Sequence, residues 1–309
     1  VLTPEQAVDV INERFGRHPG RRALHAKGTF CAGSFTATPA AAALTRAAHM
    51  QGDAIEVTAR VSNGAGDPNL PDYAPEVRGL AVTFHLPDGS RTDIVAQTVP
   101  RFPVRTPEEF IEFLRLSNRE LKNALRMPLF LAQRPAALFG LPANAAALRP
   151  PPSYAECKYF GVHAFKWIDA AGAERFVRYT WLPEAGDHRL APWAARRLGR
   201  DYLQEEIRAR LQAGTARFTL QLQIARSGDK VDDPSAQWPE DRERVDAGTL
   251  TLTRVIEDPE AGGDVLVFDP VRVTDGIELS DDPVLAFRPR AYSESVDRRI
   301  ASREPAGTR

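Results

Sequence analysis

The stretch RALHAKGTF, residues 22–30, sets one imidazole, His25, between Leu24 and Ala26, with cations at Arg22 and Lys27 and a glycine at Gly28. A histidine in this setting has two readings. It is a hydrogen-bonded residue of an apolar core, or it is a proton-handling group facing a buried ligand, since imidazole changes its charge near neutral pH. A second candidate lies far along the chain, where FRPRAY puts Arg288 and Tyr292 four residues apart. On a helix of about 3.6 residues per turn, these two side chains lie side by side. A guanidinium beside a phenol favours the phenolate, a hard anionic ligand that suits ferric iron and peroxide chemistry better than reversible oxygen carriage. The same spacing also suits plain packing of an arginine on a tyrosine. Pro289, between the two, fits a helix only near its first turn.

Stepping along the chain, the apolar period identifies the elements that must position these groups. DAIEVTARVSN, residues 53–63, alternates through Ile55, Val57, Ala59 and Val61, the repeat of a strand with one covered face. Residues 78–98 hold two extended runs around a Pro87-Asp88-Gly89 turn, and residues 161–183 hold a second such hairpin. Further strands are expected over 216–226 and 248–257. Three helical runs interrupt this pattern. One follows Thr106 as N-cap and Pro107, with Phe110, Phe113, Leu114, Leu121 and Leu125 on a helical period. Another ends at Gly214, and the last covers residues 281–303. The Ala- and Pro-rich stretch from Arg134 to Pro152 is expected to be a wrapping connection. Many strands joined by antiparallel-type turns imply a large barrel or sandwich rather than alternating βαβ units.

Composition removes several function classes. The chain has 309 residues, 43 % hydrophobic and 26 % charged, and its 40 basic and 41 acidic residues give a formal net charge of −1. Such a balance offers no overall field for nucleic acid or an anionic membrane surface. No uncharged apolar stretch is long enough to span a bilayer, and no signal-peptide pattern is visible. The two cysteines, Cys31 and Cys157, form neither a disulfide framework nor a zinc pattern and are expected to be buried thiols. His18, His49, His85 and His188 show no paired ligand spacing. A cytoplasmic location is the expectation, with the periplasm open if an address preceding Val1 was removed.

The two chemical candidates sit inside longer strings that resemble the haem catalase superfamily. RALHAKG is similar to the segment that carries the distal histidine, and SAQWPEDRERVDAGTLTLTR followed by VLVFDPVRVTDGIELSDDPVLAFRPRAYSESVDRR resembles the approach to the proximal tyrosine. RVSNGAGDP through EVRGLAVTFHLPDGSRTDIVAQTVPRF is similar to the central barrel block, and VHAFKWIDAAGAERFVRY to a later hairpin. The ordered match, together with the short length, resembles the reduced, catalase-related peroxidase branch. That resemblance implies an α+β fold: an eight-stranded antiparallel β-barrel with wrapping and C-terminal helices, enclosing haem b. It also implies a single domain over residues 1–309, with no C-terminal flavodoxin-like domain.

The resemblance also distributes roles. Tyr292 would be the proximal iron ligand and Arg288 its charge partner. His25 would act as acid and base on the distal face, with Ser62 bonding its ring. Arg22, Arg60 and Arg299 match positions that hold the haem propionates, and arginine's planar fork suits a carboxylate. Phe102 and Phe110 match aromatics of the distal side, Phe268 one of the proximal side, and His163 a histidine close to the macrocycle. Where catalases place an asparagine to orient peroxide, this chain has Gln97, the same amide on a longer stem. Gly64 stands where the family often has a bulky channel residue, implying a wider approach, and Glu76 stands at a usually acidic channel position. The function implied is a peroxidase that reduces hydrogen peroxide or small organic hydroperoxides with an organic electron donor and has weak or no catalase activity. A homo-oligomer is compatible with it. Two alternatives stay open: an allene oxide synthase-like rearrangement of fatty-acid hydroperoxides, and a non-enzymatic haem-binding barrel.

Overall fold

The computed structural model describes residues 2–117, 121–257, 259–260 and 265–302. Its strands are β1 (Gly28–Ala37), β2 (Ala54–Asn63), β3 (Arg78–His85), β4 (Arg91–Gln97), β5 (Tyr159–Ile168), β6 (Glu174–Pro183), β7 (Ala216–Ile224), β8 (Arg244–Ile256) and β9 (Ile277–Leu279). The helices are α1 (Pro4–Phe15), α2 (Pro39–Ala42), α3 (Pro107–Leu116), α4 (Leu121–Ala132), α5 (Pro135–Ala147), α6 (Pro192–Arg197), α7 (Tyr202–Ala213) and α8 (Pro283–Ala301). The first eight strands run in the order β4-β3-β2-β1-β8-β7-β6-β5. Pairing of Gln97 with Phe160 closes them into an antiparallel barrel. β9 continues along β5 at Phe165–Trp167.

The two-residue period of each strand sends alternate side chains to opposite faces. Val57, Ala59 and Val61 of β2, Leu80, Val82 and Phe84 of β3, Trp167 of β5, Trp181 of β6 and Leu220 and Leu222 of β7 join one buried cluster. The lumen is therefore a packed core, as an eight-stranded barrel requires. Arg60, Ser62, Gly79 and Gln97 occupy the opposite, outer face. That face is buried too: Arg60 and Ser62 are buried alongside their inward neighbours. Helices cover it. Ala7, Val10 and Ile11 of α1, Ile111 and Leu114 of α3 and Phe287 of α8 pack together over Ala23 and Leu24. The enclosure implied by the sequence is thus made by barrel and helices jointly, outside the lumen.

Local chemistry sets the helix starts. Thr106 Oγ1 accepts the Glu109 amide ahead of Pro107, and Asp282 accepts the amides of Val284 and Leu285 ahead of Pro283. Several expectations need correction. Residues 135–147 form α5 despite Pro142, where a wrapping connection was expected. The first helical run ends at Leu116, and α4 begins at Leu121; residues 118–120 lie outside the described residues. Leu125 belongs to α4 and is 81 % exposed rather than on the core period. The run ending at Gly214 is two helices, α6 and α7. Pro289 is well inside α8 rather than in its first turn, so the Leu285 carbonyl loses its usual donor. Tertiary contacts hold α8 in place nonetheless: Arg298 reaches Asp9 of α1 at 2.6 Å, and Ser295 Oγ accepts the Ala23 amide at 3.3 Å. No described helix is long and apolar enough to cross a membrane.

One core group gives the barrel a pH signature. His49 is 1 % exposed, its ring lies 4.8 Å from that of Phe84, and burial pushes its pKa down to about 3. The unfolded chain binds a proton on this imidazole below pH about 6.5, while the folded chain does not. Stability from the neutral ring is therefore complete above that pH and is lost as pH falls towards 3. Replacing His49 with Phe is expected to flatten the fall in unfolding free energy between pH 6 and pH 4 by roughly 1.4 kcal/mol per unit, relative to each protein's value at pH 8. Denaturant titrations at several pH values check this, and parallel curves for the two proteins contradict it.

Candidate active site

The cross-strand register builds the floor of the site. Gly28 faces Ser62, Ser62 faces Gly79, and Gly79 faces Gln97, so one row of the outer face runs glycine, serine, glycine, glutamine across β1 to β4. The next row runs Phe30, Arg60, Ala81 and Val95. Gly28, Gly79 and Ala81 keep this shelf low on either side of Ser62 and Arg60, with Gln97 at its β4 end. A Cβ on Gly28 would come within 2.7 Å of the Arg60 guanidinium, so the glycine is what lets that side chain lie over β1.

His25 enters this shelf from the segment before β1. Its amide donates to Gly64 O at 3.0 Å, and the next amide, of Ala26, donates to Ala65 O at 3.0 Å. Between these anchors His25 takes φ 55°, the left-handed region, which no other described non-glycine residue enters. Such a conformation costs about 1–3 kcal/mol and persists where the surroundings over-determine it. The ring Nδ1 lies 2.9 Å from Ser62 Oγ. A Cβ on Gly79 would lie 2.8 Å from both Cε1 and Nδ1 of the ring, so this glycine leaves the space that the imidazole fills. Burial, then the charges of Arg60, Arg288 and Arg22, push the His25 pKa down to about 3. The ring is therefore neutral at physiological pH. With Nδ1 held by Ser62, Nε2 is the nitrogen left for chemistry.

The opposite wall comes from α8 and β5. Arg288 Nη1 donates to Tyr292 Oη at 3.0 Å, and its guanidinium lies 5.9 Å from the Phe102 ring centroid. Phe102 and Phe110 contact each other at 5.0 Å between centroids. His163 falls at the register shift of β5 between Gly161 and Phe165, and its Nδ1 is 2.6 Å from Asp282 Oδ2, the α8 cap. Burial and Arg288 depress the His163 pKa to about 4, against the opposing pull of Asp282. Arg288 thus bonds Tyr292 while its charge adds to burial in depressing the pKa of both His25 and His163.

A third region gathers cations. Arg22 bonds Glu260 at 2.9 Å and Leu266 O at 2.7 Å, and Arg299, 3 % exposed, reaches the same Glu260 oxygen at 3.4 Å. Arg60 is 5 % exposed, and burial followed by the neighbouring charge of Arg22 pushes its pKa well down. Arg22 and Arg60 both lie over the Phe30 ring, at 5.3 and 5.4 Å, and Phe30 stacks on Phe268 at 6.2 Å.

His25, Ser62, Arg60 and Gln97 therefore share the outer face of β1 to β4, with Arg22 and Phe268 meeting it at Phe30. Two secondary expectations change. Gly64 is crowded, since a Cβ there would meet Val77 O at 3.0 Å, so its lack of a side chain serves backbone packing rather than a wider channel. The carboxylate of Glu76 is engaged by the Ala65 amide at 2.8 Å and by Arg78 at 3.4 Å, and it props the loop that anchors His25. Sequence reasoning missed Gly79, Glu260 and Asp282. An Asp-Pro step just before an apolar helical run is a cap signal that could have found the last.

The donor set fits a flat, dianionic, metal-bearing macrocycle such as haem. Three guanidiniums converge on one side, and a phenol is paired with a cation on another. Among the described residues, the buried Gln97 Nε2, His163 Nε2 and Arg60 Nε have no hydrogen-bond partner, and buried polar atoms normally have one.

Comparison with known proteins places the chain in a family. The catalase family model matches residues 9–304. The catalase-related peroxidase of Mycolicibacterium paratuberculosis is 48 % identical over 295 residues, covering 96 % of this chain and 94 % of that protein. That of Synechococcus elongatus is 34 % identical, covering 96 % and 89 %. A solved bacterial catalase superposes with a TM-score of 0.79 at 24 % identity, covering 94 % of this chain and 61 % of that one. The chain belongs to the catalase family, on the branch of its catalase-related peroxidases.

Proposed function

We propose that the chain binds haem b on the shelf outside its barrel and works as a peroxidase, reducing hydrogen peroxide or small organic hydroperoxides with electrons from an organic donor. Members of the catalase family are haem proteins. The observation that carries the reading is a donor set of three parts: His25 fixed by Ser62 at 2.9 Å, Tyr292 paired with Arg288 at 3.0 Å, and the cluster of Arg22 with the buried Arg60 and Arg299. Tyr292 Oη would be the iron ligand, and Arg22, Arg60 and Arg299 would hold the propionates. Phe268 would pack on the proximal side and Phe102 and Phe110 on the distal side. His163, fixed by Asp282, would present its partnerless Nε2 towards the ring system.

When bound, haem supplies the redox chemistry that breaks the peroxide O–O bond and recovers electrons from the donor. The protein handles protons and orientation. His25 Nε2 takes a proton from the incoming peroxide oxygen and returns it to the leaving oxygen. Overall, ROOH takes up two electrons and two protons and yields ROH and water. Arg60, Arg288 and Arg22 disfavour a lasting charge on His25, so the proton it accepts is readily given back. Gln97 offers its amide hydrogens to the peroxide from the end of the glycine-serine row, and its extra methylene makes that hold looser than an asparagine's.

Three measurements test this reading. Steady-state assays of the haem-loaded protein are expected to show dye oxidation with both hydrogen peroxide and an alkyl hydroperoxide, with little oxygen evolution; oxygen evolution matching a full catalase alongside negligible dye oxidation contradicts it. Gln97→Asn is expected to raise oxygen evolution relative to dye oxidation by a few-fold, and an unchanged ratio removes Gln97 from peroxide orientation. Gly79→Ala pushes on the His25 ring, and displacement of about 1 Å can cost on the order of 100-fold. A drop of about 10- to 100-fold in kcat/KM with haem content unchanged is expected, and wild-type kinetics would show that the imidazole is not held there.

A further inference from the structure

Glu260 lies among the arginines assigned to the propionates and takes no part in the chemistry above. Its Oε1 accepts from Arg22 Nη2 at 2.9 Å, from Arg299 Nη1 at 3.4 Å and from the Leu266 amide at 3.0 Å. Arg22 in turn donates to Leu266 O at 2.7 Å, closing a ring of contacts two residues before Phe268. One carboxylate oxygen therefore ties two guanidiniums and a loop together, and the Glu260 side chain is 13 % exposed. Arg60 adjoins the same group and is repelled by Arg22 and Arg299 while attracted by Glu260. Packing cations this closely in a low-dielectric setting is costly without an anion among them.

We infer that Glu260 is an internal counter-ion of the propionate-binding arginines: it stabilises their cluster before the cofactor arrives and competes with the cofactor's carboxylates afterwards. The inference rests on the haem reading and assigns Glu260 a positioning role. Two consequences of opposite sign follow. Removing the charge while keeping the oxygen acceptor takes a negative charge out of the empty cluster, so the apoprotein is less stable. The same change removes a negative charge beside the incoming carboxylates and frees guanidinium hydrogens for them, so haem is held more tightly. A residue that merely packed the loop would lower both properties together.

The test compares wild type with Glu260→Gln as full-length apoproteins and after loading with haem b. Thermal unfolding of the apoprotein and release of haem to excess apomyoglobin are both independent of activity. Glu260→Gln is expected to lower the apoprotein Tm and to slow haem b release roughly tenfold, the size set by one unit charge a few ångströms away. The release difference is expected to vanish with haem dimethyl ester, whose propionates carry no charge. Equal or faster release of haem b from the variant, or the same change with the ester, overturns the inference. Should Glu260→Gln not fold without cofactor, Glu260→Asp, whose carboxylate is drawn back by one methylene, is read in the same way: slower haem b release supports the inference, and equal or faster release overturns it. A wild-type apoprotein that takes up no haem is a separate result, which overturns the haem reading itself.

Discussion

The register of β1 to β4 is the constraint on which the site depends. Val57, Val61, Leu80, Phe84, Trp167 and Trp181 pack together in the barrel lumen as one apolar core. The chemistry is displaced to the outer face, where Gly28, Ser62, Gly79 and Gln97 stand in one row. A slip of one residue in this pairing would exchange the two faces and send Ser62 and Arg60 into the apolar lumen. Apolar packing inside the barrel therefore fixes the polar pattern outside it. The segment that carries Arg22 and His25 lies over that polar pattern, and α1, α3 and α8 pack around the same segment at Ala23 and Leu24. Burial is what makes Arg60, Gln97 and His163 demand partners that the chain itself does not fully supply.

The balance at His25 illustrates how the site is held. A left-handed backbone at a histidine costs about 1–3 kcal/mol. The amides of His25 and Ala26 each find a carbonyl, and Nδ1 finds Ser62, contacts that contribute roughly 0.5–1.5 kcal/mol apiece. These terms offset one another, so the strain is sustained by its immediate neighbours and is lost if they move. The electrostatic arrangement works in the same direction. Arg60, Arg288 and Arg22 add to burial in keeping the imidazole neutral. Arg288 alone among these also bonds the phenol of Tyr292. One guanidinium thus bears on the imidazole of one segment and bonds the phenol of another.

Much of this was legible in the sequence, and the reasons for the gaps are physical. Alternation in β2, β3 and β4 and the Pro87-Asp88-Gly89 turn gave the central hairpins, because one face of each strand is apolar. Thr106-Pro107 marked the start of α3. β1 was not found from its pattern, because GTFCAGSFTA is rich in small residues: a Cβ on Gly33 would lie 2.1 Å from Thr251 O, so closeness of strands rather than apolar period determines its composition. α5 was missed because Pro135 and Pro142 suggested a connection, although the first is a favourable helix start and the second is tolerated. Pro289 misled in the same way, since tertiary contacts of α8 with α1 and with Ala23 outweigh a lost backbone bond. His25 and the Arg288–Tyr292 pair stood out by residue type and spacing, and their proposed roles, with those of Arg22, Arg60 and Arg299, came from the family resemblance, whereas the contacts of Gly79 and Glu260 run across the fold and no local pattern encodes them.

We propose that Tyr292, supported by Arg288, ligates a haem iron opposite His25. Absorption spectra of the ferric, haem-loaded wild type and of Tyr292→Phe test it most directly. A high-spin ferric Soret band with a tyrosinate-type visible spectrum in the wild type, lost in Tyr292→Phe, is the expected result. Identical spectra for the two proteins, or a wild type that stays colourless after reconstitution, would contradict it.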